Sequence, residues 1–224
     1  MFAGQSLVRP FAAQMLTPVV RQVLGDSPQV LTEVLEEDVN LAIWRRQLPA
    51  PVVGFVGRLL SLDRPLAEAI TLELDGPETA PNLRGLASNC SALEGYADFV
   101  ADIAWLLRAY ACLLDAKRVG LRLRVLDKAM CPRFHVDHAP LRLITTYAGV
   151  GSQWLHEGAI ERARLGDPAA EPLEPTRIQQ MVSGEVALFK GERWLGNEGC
   201  GIVHRSPQPA KGERRLILTL DWLA

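Results

Sequence analysis

"CPRFHVDH", residues 131–138, sets two histidines and an aspartate within four positions of a 224-residue chain that has four histidines in all. In an extended segment side chains alternate faces, so His135 and Asp137 point one way and Val136 the other. Such an H-x-D pair at the mouth of a β-barrel offers two ligands to one ion. A third has to come from elsewhere, and His204 in "GIVHRSP" ends an apolar stretch downstream. Alone, a histidine on an apolar strand is more often a core residue than a ligand. Together, two imidazoles and a carboxylate form a facial triad, which leaves coordination positions open and suits Fe(II). His138 falls off the His135 face and reads as a turn residue or a spare ligand. His156 reads as a surface residue.

The surroundings of these residues are β-rich. "VGLRLRVLD" alternates, with Val119, Leu121, Leu123 and Val125 on one face and Arg122 and Arg124 on the other. "LRLITTYAG", "EVALFKG", "GCGIVHRSP" and "RRLILTLDW" follow as short strands closed by Gly or Pro. Between Gly158 and Ser183 lies an insertion rich in Pro, Ala and charge.

The texture changes near residue 118, and the first half reads as mostly helical. "SPQVLTEVL" has Ser27 as cap and Pro28 at the first helical position. "SALEGYADFVADIAWLLRAYACLL" has apolar residues at three- and four-residue steps, with Ser91 and Glu94 as a capping box. "PVVGFVGRLLSL" fits a helix or a strand. The expected fold is α+β, with N-terminal helices (residues 1–118) packed on a C-terminal jelly-roll, cupin-like double-stranded β-helix (residues 119–224).

Composition narrows the function classes. A net charge of −2 gives no bulk electrostatic case for nucleic acid or an anionic membrane. No run of about 18 apolar residues spans a bilayer. The first twenty residues lack an unbroken signal-peptide core, so the expectation is a cytoplasmic protein. The four cysteines are scattered and form no CxxC pair.

With these residues in view, positions 131–222 resemble the Fe(II)/2-oxoglutarate-dependent oxygenases, the family of prolyl hydroxylases and phytanoyl-CoA hydroxylase. That family's order is H-x-D, a distal His, then an Arg or Lys ten or eleven residues on. The matching residues are His135, Asp137, His204, and Arg214 or Arg215, with Arg215 preferred. The resemblance implies Fe(II) on the triad and a 2-oxoglutarate carboxylate paired with that arginine. Tyr147, in "RLITTYAG", is similarly placed to a family tyrosine that reaches the cosubstrate, although a core role suits it equally. Ser206, two after His204, also fits. "GVGSQWL" departs from the family's usual strand, and the substrate, a small molecule or a protein, stays open.

The whole chain is also similar to an uncharacterised bacterial family known only as a domain of unknown function. The run "CPRFHVDH…RLITTYAGVGSQWL…HRSP" carries that likeness. Genes of that family neighbour zinc-homeostasis GTPases, which implies a rival: a Zn(II)-binding, cupin-like protein without turnover. Cys131 and Cys200 each precede a candidate histidine by four residues, and thiolates favour Zn(II). Four extended residues span about 13 Å, however, too far for one ion to take both ends.

Overall fold

The computed structural model describes residues 20–74 and 81–223. The stretch read as lacking a signal-peptide core therefore lies, up to residue 19, outside the described residues. Ten strands are present: β1 (Arg21–Gly25), β2 (Val39–Trp44), β3 (Ala67–Glu73), β4 (Arg118–Leu126), β5 (Leu141–Ala148), β6 (Gln153–Leu155), β7 (Ile178–Gln180), β8 (Val186–Lys190), β9 (His204–Arg205) and β10 (Arg215–Trp222). Two α-helices, α1 (Ala50–Ser61) and α2 (Tyr96–Leu114), complete the mixed α/β arrangement.

A seven-stranded sheet runs β1-β2-β8-β5-β10-β4-β3, and a three-stranded sheet runs β7-β6-β9. The β1–β2 pair is parallel and the other described pairs are antiparallel. At the centre of the large sheet, β10 pairs with β4 (Ile217 opposite Arg124) and with β5 (Ile217 opposite Thr146). This register sorts every side chain to one of two buried faces.

On one face, Leu216, Leu218 and Leu220 join Leu121, Leu143 and Leu188 in the largest core, together with Phe55 of α1 and Phe99, Ile103 and Leu107 of α2. Phe99 sits 4.8 Å from the Phe55 ring and 4.9 Å from that of Tyr147. A buried polar bolt crosses this layer. Arg46 donates to both oxygens of Asp102 on α2 (2.6 and 3.0 Å), and the Tyr147 hydroxyl donates to the same carboxylate at 2.6 Å. On the other face, Ile43, Ile144, Phe189 and Ile217 meet Trp154 and Ile202 from the side of the small sheet.

The local readings need several corrections. "SPQVLTEVL" forms a 3-10 helix, Pro28–Leu35, and Ser27 makes no side-chain cap. The Ser91–Glu94 capping box does not form, because α2 starts later, after Gly95 at φ 84°. A Cβ at Gly95 would stand 2.3 Å from the Pro51 carbonyl, so the chain has to turn there on a glycine. "PVVGFVGRLLSL" is helix α1. The stretch before residue 118 also supplies β1, β2 and β3 to the large sheet, as well as its helices. Residues 158–183 hold three short 3-10 turns and β7. Among the described residues no helix is long and apolar enough to cross a membrane.

Phe99 is fully buried between the two helices and the sheet. Phe99→Ala is expected to cost about 3–5 kcal/mol and to lower the thermal midpoint by at least about 6 °C, as read by calorimetry. A smaller loss would mean that the helices contribute little to the stability of the large sheet.

Candidate metal centre

The centre begins with backbone pairing. His135 and His204 face each other in an antiparallel bridge, His135 N–H donating to His204 O at 3.0 Å and His204 N–H to His135 O at 2.9 Å. Two segments 69 residues apart in sequence are thereby locked in register, with their rings 4.5 Å apart. Asp137 follows two positions on and turns to the same side. One donor atom from each of His135, Asp137 and His204 lies within 4.8 Å of the others.

The imidazoles are oriented from behind. His135 Nδ1–H donates to Arg133 O at 2.9 Å, and His204 Nδ1–H to Ile202 O at 3.0 Å. A carbonyl only accepts, so each Nδ1 keeps its proton and each Nε2 turns its lone pair inward. The two Nε2 atoms stand 3.7 and 3.6 Å from the Asp137 carboxylate oxygens. Ligands about 2.1 Å from one ion and at right angles are about 3 Å apart, so the three groups would have to draw together to share one ion. His204 is buried against the edge of Phe189, 4.7 Å between rings. Burial pulls its pKa down to about 4, against the opposing pull of Asp137, so the ring is neutral at neutral pH. Two imidazoles and one carboxylate fit a divalent ion of the Fe(II) type.

Asp137 is itself held. Its Oδ2 accepts from Arg142 Nη1 at 2.7 Å, while Arg142 Nε donates to Asp221 at 2.6 Å and Arg122 bonds the second Asp221 oxygen. Burial opposes the Arg142 charge, and Asp137 and Asp221 outweigh it, raising its pKa. The backbone below is equally tight. Glu192 N–H donates to Asp137 O at 2.9 Å, and a Cβ at Gly191 would meet that same carbonyl at 2.6 Å. A side chain at 191 would push the ligand loop outward.

Arg215 lies on the same inner face of β10 as Ile217 and Asp221 and has no exposed surface. Its Nη1 donates to Ser206 Oγ at 2.7 Å, and its Nη2 to Thr146 Oγ1 and Ser152 Oγ at 3.3 and 3.4 Å. Its Nε is buried without a partner, and among the described residues no carboxylate pairs with it. Burial alone pulls its pKa down to about 10, so it stays charged at neutral pH.

A family model described as "Protein of unknown function (DUF1826)" matches residues 25–221. The chain belongs to that family. No curated protein matches it in sequence. In fold, this DUF1826 chain is similar to a presumed oxygenase from Shewanella oneidensis, at 10% identity and TM-score 0.51, over 91% of this chain and 90% of that one. It is also similar to a Pseudomonas putida prolyl-4-hydroxylase (12% identity, TM-score 0.45, 87% and 96% covered). A third similar structure is HygX from Streptomyces hygroscopicus with iron bound (11% identity, TM-score 0.45, 87% and 85% covered). At such identities the Shewanella likeness speaks to the fold alone.

Other residues singled out in the DUF1826 sequence fall elsewhere. Tyr147 points to the helix face, bonded to Asp102, where burial and that carboxylate raise its pKa well above the ordinary value. It is a core residue and no cosubstrate contact. Arg214 also turns to the helix face, bonding the Leu60 carbonyl and pairing with Asp63 at 2.9 Å. Cys131 and His138 are exposed, and Cys200 is buried with its thiol pKa raised by that burial. None of the three belongs to the triad group, which removes the thiolates from the zinc alternative. The sequence reading missed Arg142 and Asp221. Arg142 alternates with Ile144 and Thr146 along β5, and that parity is the signal that could have placed it beside the site.

Removing the arm that holds a ligand carboxylate should weaken metal binding without removing a ligand. Arg142→Ala is expected to lower Mn(II) affinity about 10–100-fold, read by electron paramagnetic resonance. Tyr147→Phe is expected to leave Mn(II) affinity unchanged while costing about 1 kcal/mol of stability, read by urea unfolding.

Proposed function

We propose that this protein is an Fe(II)- and 2-oxoglutarate-dependent oxygenase built on a double-stranded β-helix, with the helices packed outside the barrel. The observation that carries the reading is Arg215, a buried guanidinium without a carboxylate, on the same inner face as the arm that holds the triad.

Charge counting supports it. Arg122, Asp221, Arg142 and Asp137 alternate in sign and sum to zero, so a dication on the triad arrives with its charge uncompensated. Arg215 adds one more positive charge nearby. Buried charges of that kind call for an anion. 2-Oxoglutarate has a 2-oxo acid end, which chelates a metal, and a distal carboxylate for the guanidinium. Ser206, bonded to Arg215, is two residues after His204, which sets the two anchor points roughly 7 Å apart along an extended chain. Both ends of a five-carbon diacid span such a distance.

His135, Asp137 and His204 would hold the iron, and its open positions would supply the activation of dioxygen. In the overall balance, 2-oxoglutarate, dioxygen and a substrate C–H give succinate, carbon dioxide and an alcohol. One oxygen atom ends in succinate and the other in the new hydroxyl. The protein's part is to keep one side of the iron clear, to fix the diacid by Arg215, Ser206, Thr146 and Ser152, and to keep water out by Phe189, Ile144 and Ile217.

Anaerobic Fe(II) with 2-oxoglutarate is expected to give a weak visible charge-transfer band, absent in His135→Ala. Arg215→Gln is expected to raise the 2-oxoglutarate concentration needed by at least about 10-fold, as loss of a charge-assisted bidentate pair predicts. Absence of the band in wild type, with no succinate formed in air, would remove the reading.

A further inference from the structure

Two arginines on the inner face of the large sheet are treated differently from the others. Arg122 and Arg142 are paired through Asp221 and Asp137. Arg124 and Arg215 meet no carboxylate among the described residues, and each has a buried Nε without a partner. They are neighbours. Arg215 stands opposite Leu126 on β4 and Ile217 opposite Arg124, so Arg124 is the diagonal neighbour of Arg215 on one face. Diagonal side chains of that kind start about 7–8 Å apart.

A short chain of contacts joins them. Arg124 Nη1 donates to Met130 Sδ at 3.2 Å, Met130 N–H donates to Ser206 Oγ at 3.4 Å, and that hydroxyl accepts from Arg215 at 2.7 Å. Among the described residues, the one side-chain acceptor that Arg124 meets is thus a thioether, a weak one. Met130 is 47% exposed, on the loop that leads to the H-x-D stretch. A flexible, exposed methionine covers the spot where a guanidinium would take an oxyanion. Arg215 is wholly buried, whereas Arg124 is half-buried and lies against the exposed Met130. Two like charges on one face without a counter-ion are costly. One diacid bound at Arg215 answers one of them and leaves the other.

We propose that Arg124 anchors an oxyanion, a carboxylate or a phosphate, carried by the primary substrate, which enters over Met130; the molecule oxidised is therefore acidic. This assignment rests on the 2-oxoglutarate reading for its chemistry, while the anion site itself does not.

The full chain, loaded with Mn(II) under argon, is titrated calorimetrically with 2-oxoglutarate. The saturated complex is then titrated with two probes, inorganic phosphate and acetate. One probe is expected to bind the wild type and to bind Arg124→Gln at least 10-fold more weakly, with 2-oxoglutarate affinity in that variant unchanged. Arg124→Lys is expected to recover part of the loss, and thermal midpoints of both variants check that they are folded. Which probe binds more tightly distinguishes a carboxylate-bearing from a phosphate-bearing substrate. Neither probe binding the wild type would overturn the proposal, as would equal binding to Arg124→Gln. So would loss of 2-oxoglutarate in place of the probe, which would make Arg124 a cosubstrate arm. If 2-oxoglutarate fails to bind wild type while a probe binds and is lost in Arg124→Gln, the oxygenase reading falls and the anion anchor stands.

Discussion

Two backbone hydrogen bonds between His135 and His204 hold the centre together. The protein brings its imidazoles into reach through main-chain pairing, which side-chain packing could not fix as narrowly. An antiparallel bridge sets two residues directly opposite each other, with side chains on one face. The Nδ1 contacts to Arg133 O and Ile202 O then fix each ring's tautomer and tilt, so the lone pairs converge before any ion arrives. Asp137 needs only the two-residue period of an extended chain to join them. The orientation of the site is thus inherited from the strand pairing.

Much of the barrel was legible, and the limits of that legibility have physical causes. β4, β5, β8 and β10 carry alternation and turn residues strong enough to read. β2, "VNLAIW", is buried on both faces, and its apolar residues, interrupted by Asn40, show no strand periodicity. β3 is a half-exposed edge strand, and β1 has only five residues. The H-x-D pair was readable as a motif and His204 as the end of an apolar stretch, although the strand it forms is only two residues long. The choice between Arg214 and Arg215 was closed to sequence because both faces of the central strand are covered, one by helices and one by the small sheet. Tyr147 failed for the same reason. With no solvent face, alternation tells which residues share a side and not which side holds the site.

That same sandwiching divides the labour of the large sheet. Its helix face is mostly apolar, with a buried ion pair, Arg46–Asp102, completed by the Tyr147 hydroxyl. Its other face carries Arg122, Arg124, Arg142 and Arg215, with Arg215 fully buried and Arg122 partly exposed, beside apolar residues such as Ile144 and Ile217. Such charges cost several kcal/mol each unless paired. A sequence selected for stability alone would place Leu or Ile at these inward positions, as it does at 144 and 217.

The pairing pattern sharpens this argument. Asp221 serves two arginines, Arg122 and Arg142, and Arg142 passes its second contact to the metal-binding carboxylate. The chain of alternating charges keeps Asp137 aimed while drawing part of its negative charge away from the metal position. A dication there would be less fully neutralised by protein than the triad's formal count suggests, and so more demanding of an anionic co-ligand. Arg215 is caged by three hydroxyls that can turn their protons to accept or donate. The acids that could have quenched Arg215 and Arg124 are spent on the other two arginines. The positive charge left on this face is therefore a consequence of how the metal ligand is held.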